Sequence, residues 1–153
     1  MPKSVNIILN SNNALSGNTQ QSNYFIDWNA LLDKRKKYWL NFVYMGGVNT
    51  ISGSKLATLY ANFNTNNYTT GTQNTQMLGI LMPTVLEGST STSFLQSLNN
   101  TNVPIFLDTP PNNNNFTVSI YDNSATPALF LDNNASPDVP APYVLILKFT
   151  EDD

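Results

Sequence analysis

The 153-residue chain contains no cysteine and no histidine, so any acid, base or metal chemistry falls to carboxylates, lysines, tyrosines and hydroxyls. The two absences remove the thiolate nucleophile, the disulfide, the cysteine-based metal site, the usual general base and the commonest zinc ligand. A hydrolase built on paired carboxylates needs two acids facing one space. The candidates are Asp27, Asp33, Glu87, Asp108, Asp122, Asp132 and Asp138. Most stand beside Asn, Pro or Gly, in turn contexts where a carboxylate bonds its own backbone. They are read as turn residues, and the protein as a non-enzyme.

Three other groupings have chemical potential. Asp132, Asn134, Ser136 and Asp138 alternate oxygen donors as calcium loops do. The likeness stops there, because Pro137 occupies the position of the sharp-turn glycine and Tyr143 that of the bidentate glutamate. No metal and no cofactor is expected. Lys34, Arg35, Lys36 and Lys37 form the densest charge feature, readable as a solvated turn or as a partner-contact patch for an acidic neighbour, a lipid headgroup or a packaged genome. Tyr60, Tyr68 and Tyr121 lie near expected strand ends or loops, where an aromatic ring either packs at the rim of a core or stacks on a sugar.

The elements that would position these residues are almost all strands. Val5, Ile7 and Leu9 alternate along one face, and residues 10–22 form a polar loop punctuated by Gly17. Tyr24, Ile26 and Trp28 share the next strand face. A single helical turn near 29–35 follows, with Asn29 as its cap, Leu31 and Leu32 inward, and the cations near its C-terminal end, where the backbone dipole favours them. Tyr38 to Met45 carries apolar groups on both faces, as a strand covered on both sides does. Further strands are expected at Leu56–Phe63, at Met77–Met82 ended by Pro83, and at Val103–Leu107 with Pro104 marking an edge or the strand's beginning. Phe116–Tyr121, Ala128–Leu131 and Tyr143–Phe149 complete the set, while Thr84–Asn102 reads as either helical or extended. Thr109–Asn115, TPPNNNN, is a turn-rich connection.

About eight short strands with amide-rich loops and no long helix point to an all-β sandwich, and the spacing favours a single jelly roll over an immunoglobulin-type fold. The expectation is one domain, 1–153, with an acidic solvated tail at 151–153. Charged residues are only 11% of the chain and the net charge is −3, so neutral amides and hydroxyls cover the surface and no broad basic face is available for nucleic acid. Such a surface suits packing against other copies. The N-terminal segment lacks the pattern of a secretory signal and no run approaches a membrane span, so synthesis in the cytoplasm without a signal peptide is expected. Sequons at Asn67, Asn99, Asn115 and Asn134 are then expected to stay unmodified.

With this order laid out, the chain resembles the small single-jelly-roll capsid proteins of icosahedral double-stranded DNA viruses. These are the pentons and minor capsid proteins of nucleocytoplasmic large DNA viruses and of their virophage and polinton-like relatives. The resemblance is carried by the polar Asn-rich segment leading into Tyr24-Phe25-Ile26-Asp27-Trp28, the Tyr38–Tyr44 strand, Phe116-Thr117-Val118-Ser119-Ile120, and the closing strand Tyr143-Val144-Leu145-Ile146-Leu147-Lys148-Phe149. It covers most of the chain as a pattern of strands, without a signature motif. What it implies is a virion structural protein that forms homo-oligomers, a pentamer at the capsid vertex in the penton case, and contacts the major capsid protein and other minor capsid proteins. A minor cement protein away from the vertex and a carbohydrate-binding module for host attachment are the alternatives.

Overall fold

The structure, a computed structural model, describes residues 3–17, 21–48, 57–66, 76–85, 93–97, 105–122 and 143–152. Ten strands, one α-helical turn and one 3₁₀ turn (Ser11–Asn13) are found among them. They are β1 (Ser4–Asn10), β2 (Ser16–Gly17), β3 (Gln21–Phe25), α1 (Trp28–Leu31), β4 (Tyr38–Val48), β5 (Ala57–Ala61), β6 (Met77–Val85), β7 (Ser93–Ser97), β8 (Ile105–Leu107), β9 (Asn115–Asp122) and β10 (Tyr143–Glu151). All pairings are antiparallel.

The strands form two layers. One has the order β1-β10-β4-β7 and the other β6-β5-β9-β3, with short β2 flanking β3 and β8 pairing β4. Setting β2 and β8 aside, the first main strand pairs the last, β3 pairs β9, β4 pairs β7 and β5 pairs β6. That is a long antiparallel ribbon rolled up on itself, the strand order of a jelly roll. The sandwich therefore follows from this chain's own connectivity.

Alternation decides which side chains meet between the layers. Leu40, Phe42, Tyr44, Leu145, Leu147 and Phe149 point inward from one sheet, and Tyr24, Leu59, Leu81, Phe116 and Val118 from the other, all in one buried cluster. The β6 strand serves both layers: residues 77–81 pair β5, and residues 82–85 pair β7. A bulge at the β5–β6 pairing skips Leu78, so that Leu78 as well as Gly79 and Leu81 is buried. Gly79 faces Phe42 across the sandwich, where a Cβ would lie 2.6 Å from the ring. Space, rather than backbone conformation, requires glycine here.

Several expectations change in detail. The β6 strand does not stop at Pro83, which pairs with Leu95. Among the described residues only β7 pairs β6 at that point, and a strand paired on one side tolerates proline where its missing N–H would point away from the partner. Residues 93–97, left open between helix and strand, are extended. Within 10–22 the backbone makes a 3₁₀ turn at Ser11–Asn13, capped by Asn10, and pairs Ser16–Gly17 with β3. Strand β4 is not covered on both sides: Tyr38, Leu40, Phe42 and Tyr44 are buried, but Trp39, Asn41 and Met45 face solvent. The Ala128–Leu131 strand and the Asp132–Asp138 motif lie outside the described residues.

The helical turn is set by what flanks it. Its cap is Asp27, whose Oδ1 accepts the Ala30 N–H at 3.4 Å, while Asn29 lies inside the turn. Trp28, almost wholly buried, meets Phe116 of one sheet and Phe149 of the other edge-on, with ring centroids 5.5 and 5.6 Å away. Its indole N–H donates to the Asn113 carbonyl at 2.9 Å. One residue thus joins α1, both sheets and the 109–115 connection. Leu32 is buried behind it, and Leu31 points outward.

Candidate functional site

The basic run is a β-turn and not a helix end. The Lys36 N–H donates to the Asp33 carbonyl at 3.0 Å, and Asp33 Oδ1 accepts the Arg35 N–H at 2.9 Å, so the Asp33 carboxylate organises the turn. No basic residue lies in the last turn of α1, which removes the dipole reading of the cations. The carboxylate also takes the Arg35 side chain through Nε and Nη2, at 3.1 and 3.0 Å. This fork of hydrogen bonds holds the Asp33 carboxyl down to about 2. Lys37 Nζ lies 2.8 Å from Asp108 Oδ1, and that contact raises the lysine's pKa.

Two of the four cations are therefore matched by acids, Arg35 by half-buried Asp33 and Lys37 by exposed Asp108. Among the described residues Lys34 and Lys36 form no salt bridge. Lys34 and Arg35 border a groove of about 570 Å³ that also takes in Asn29, Leu31 and, from the strand-1 side, Lys3. Lys3 is the member the sequence did not offer, since it stands far from the run and is brought there only by the fold. The acidic end at 151–153 is more engaged than a free tail: Glu151 closes β10, the Asp152 N–H donates to the Lys37 carbonyl at 2.9 Å, and Asp152 Oδ1 accepts the Trp39 indole N–H at 3.1 Å.

Of the other candidate acids and tyrosines, those whose side chains are described take structural roles. Asp27 caps α1, Asp33 holds a turn and Asp108 pairs Lys37. Glu87 lies outside the described residues, as does Tyr68, while Tyr60 is buried. Among the described residues no three Asp, Glu, His or Cys side chains converge. Between the sheets, the Tyr24 and Tyr143 hydroxyls share a 2.7 Å hydrogen bond, and Tyr143 stacks on Tyr44 at 5.3 Å. Burial raises the pKa of all three tyrosines, so they stay neutral across the physiological range.

A second surface emerges from strand register alone. On the outward face of β1, β10 and β4, Ile8 stands opposite Ile146, which stands opposite Val43. The next outward row is Asn10, Val144 and Met45. Ile8 is 68% exposed and Met45 50%, with the other apolar members half-buried. Toward the other end of β4, Trp39 lies over Phe106 of β8 at 5.0 Å and is 40% exposed. An apolar band thus crosses three hydrogen-bonded strands, with β1 as the outer edge of its sheet.

Among the described residues no helix is long and apolar enough to cross a membrane. No protein-family model matches the chain, and no curated protein matches it. Among solved structures it is similar to the crystal structure of the mavirus penton protein, with a TM-score of 0.41 and 9% sequence identity over 99% of this chain and 100% of that one.

Proposed function

We propose that the protein is a non-enzymatic structural component of an icosahedral virion, associating with copies of itself and with the major capsid protein, and placed at the capsid vertices as a penton. The observation that carries this reading is the apolar band across β1, β10 and β4. Contiguous apolar surface on a jelly roll is what association with a neighbour would cover. The surface is otherwise poor in charge, with 11% charged residues, so neighbouring copies repel weakly. Closed association around a vertex makes a pentamer, other minor capsid proteins are further neighbours, and nucleic acid is not contacted directly. In this reading Lys34 and Lys36, free of salt bridges among the described residues, offer their charge to an acidic protein surface, with Arg35 and Lys37 set by their own acids.

Light scattering coupled to size exclusion, with and without the cognate major capsid protein, tests the proposal. The wild type is expected to form a discrete oligomer or to enter assembled shells, and Ile8→Lys with Met45→Lys to return it to monomer without changing its melting temperature. A strict monomer that also fails to enter shells would overturn the proposal.

A further inference from the structure

At one end of the sandwich, the segment after β5 and the connection from β8 to β9 enclose a pocket of about 280 Å³. Its walls are rich in hydrogen-bonding groups and carry no charge among the described lining residues. Asn62, Asn112 and Asn113 supply amides, Thr109 a hydroxyl, and Phe63 with Pro110 an apolar side; Asn64, Gln76 and Pro111 complete it. From these features we infer that the pocket is a binding site for a neutral saccharide, with room for a single pyranose ring.

The chemistry of the walls selects the ligand class. No Lys, Arg, Asp or Glu is among the described lining residues, so an ionic ligand would be desolvated without a counter-charge. A purely apolar ligand would leave amides unpaired. A sugar ring presents hydroxyls that both donate and accept, together with an apolar C–H face. Primary amides answer the first, since each carries a donor end and an acceptor end, and proline and aromatic surface answers the second.

Two of the amides are set in advance. Asn113 Oδ1 accepts the Asn115 N–H at 3.1 Å, and Asn62 Nδ2 donates to the Asn115 carbonyl at 2.7 Å. A backbone N–H can only donate and a carbonyl can only accept, so both amide orientations are chemically fixed. The donor end of Asn113 and the acceptor end of Asn62 are the ends turned away from Asn115. The connection itself is held by the Trp28 indole at the Asn113 carbonyl and by the Ile26 N–H at the Asn114 carbonyl, 2.9 Å each. Asn112 and Thr109 are exposed and make no protein hydrogen bond among the described residues. They are free to bond a ligand. Preorganised amides beside unengaged polar groups lower the ordering cost of binding a small polar molecule.

A single ring with about a dozen heavy atoms is expected to bind with roughly millimolar affinity. The test is saturation-transfer NMR on the full chain with the methyl glycosides of glucose, galactose, mannose and N-acetylglucosamine. Cyclohexanol serves as the apolar control and N-acetylneuraminic acid as the anionic one. At least one neutral glycoside is expected to bind saturably in the millimolar range, about 3- to 10-fold more weakly in Thr109→Val and in Asn112→Ala. Both substitutions alter exposed side chains, and melting curves of the variants should superimpose on the wild type. Absence of signal from all four glycosides, a signal unchanged in both variants, or equal binding of either control would overturn the assignment.

Discussion

The contact between Gly79 and Phe42 makes a quantitative prediction. In Gly79→Ala the new Cβ would lie 2.6 and 2.7 Å from two ring carbons of Phe42, about 1 Å inside normal carbon contact. Phe42 is 3% exposed, so its ring has no solvent-side exit. Overpacking of this kind costs about 1–3 kcal/mol, against roughly 0.4–1 kcal/mol regained because alanine restricts the unfolded chain. The expected net loss is about 1–2 kcal/mol, or about 2–8 °C in melting temperature for a domain of this size. Phe42→Leu alone is destabilising, through lost ring contacts. Combined with Gly79→Ala, it should be no worse than alone, because shortening the side chain clears the space the methyl needs. Urea unfolding of the four proteins, followed by circular dichroism and compared at constant m-value, measures the coupling, expected at about 1–2 kcal/mol. A wild-type midpoint for Gly79→Ala, or costs that add within about 0.5 kcal/mol, would show that the two sheets do not touch at this point.

Two further outcomes follow from ionisation. Tyr24, Tyr44 and Tyr143 have raised pKa values in the folded state, so their contribution is complete below the ordinary tyrosine value of about 10 and is lost as pH rises beyond it. Tyr44 and Tyr143, the two most strongly raised, each lose about 1.4 kcal/mol at about pH 11, where the unfolded phenol is ionised and the folded one is not. Urea midpoints should drop steeply above about pH 10, with a shallower slope in Tyr44→Phe; native-state phenolate absorbance from all seven tyrosines at that pH would contradict the burial. Asp33, with its carboxyl lowered to about 2 by Arg35, contributes stability that is present above the ordinary carboxylate range and is lost as pH falls through that value. Carboxyl-resolved NMR should place its midpoint near 2 and move it upward in Arg35→Gln, and equal midpoints in the two proteins would refute the role given to the fork.

The alternating strands were the most legible part of the sequence. Val5-Ile7-Leu9 announces one face, on which Leu9 is buried and Val5 and Ile7 pack half-buried against the core, whereas Tyr143–Phe149 reads only as an apolar strand and its pairing is what buries Tyr143, Leu145, Leu147 and Phe149. Periodicity gives the sides of a strand but not what covers them, which is why β4 was misread: Trp39 and Met45 look like core residues and lie on open surface. The helical turn was visible in Trp28-to-Leu32, but Asp27 and Asn29 are both competent caps, and the choice is made by Trp28 entering the core. The Lys34–Lys37 run was plain to see, whereas its geometry depends on Asp33 just ahead of it and on Asp108, which only the β4–β8 pairing brings near. The amide pocket left no signal. Asn113 bonds Asn115 locally, and Asn62 is an ordinary loop residue until the β5–β9 pairing brings it to the same Asn115.

The rolled ribbon also governs when folding can finish. Strand β10 lies between β1 and β4, yet it is made about a hundred residues after β4, and its pairing with β1 joins Ser4 to Thr150. Until it leaves the ribosome, β1 has no partner and the inward faces of β4 have no neighbour on that side. Contacts this distant along the chain make folding slow and defer it until β10 has been made. During that interval the nascent chain exposes apolar strands whose partners do not yet exist, the condition under which intermediates are prone to aggregate.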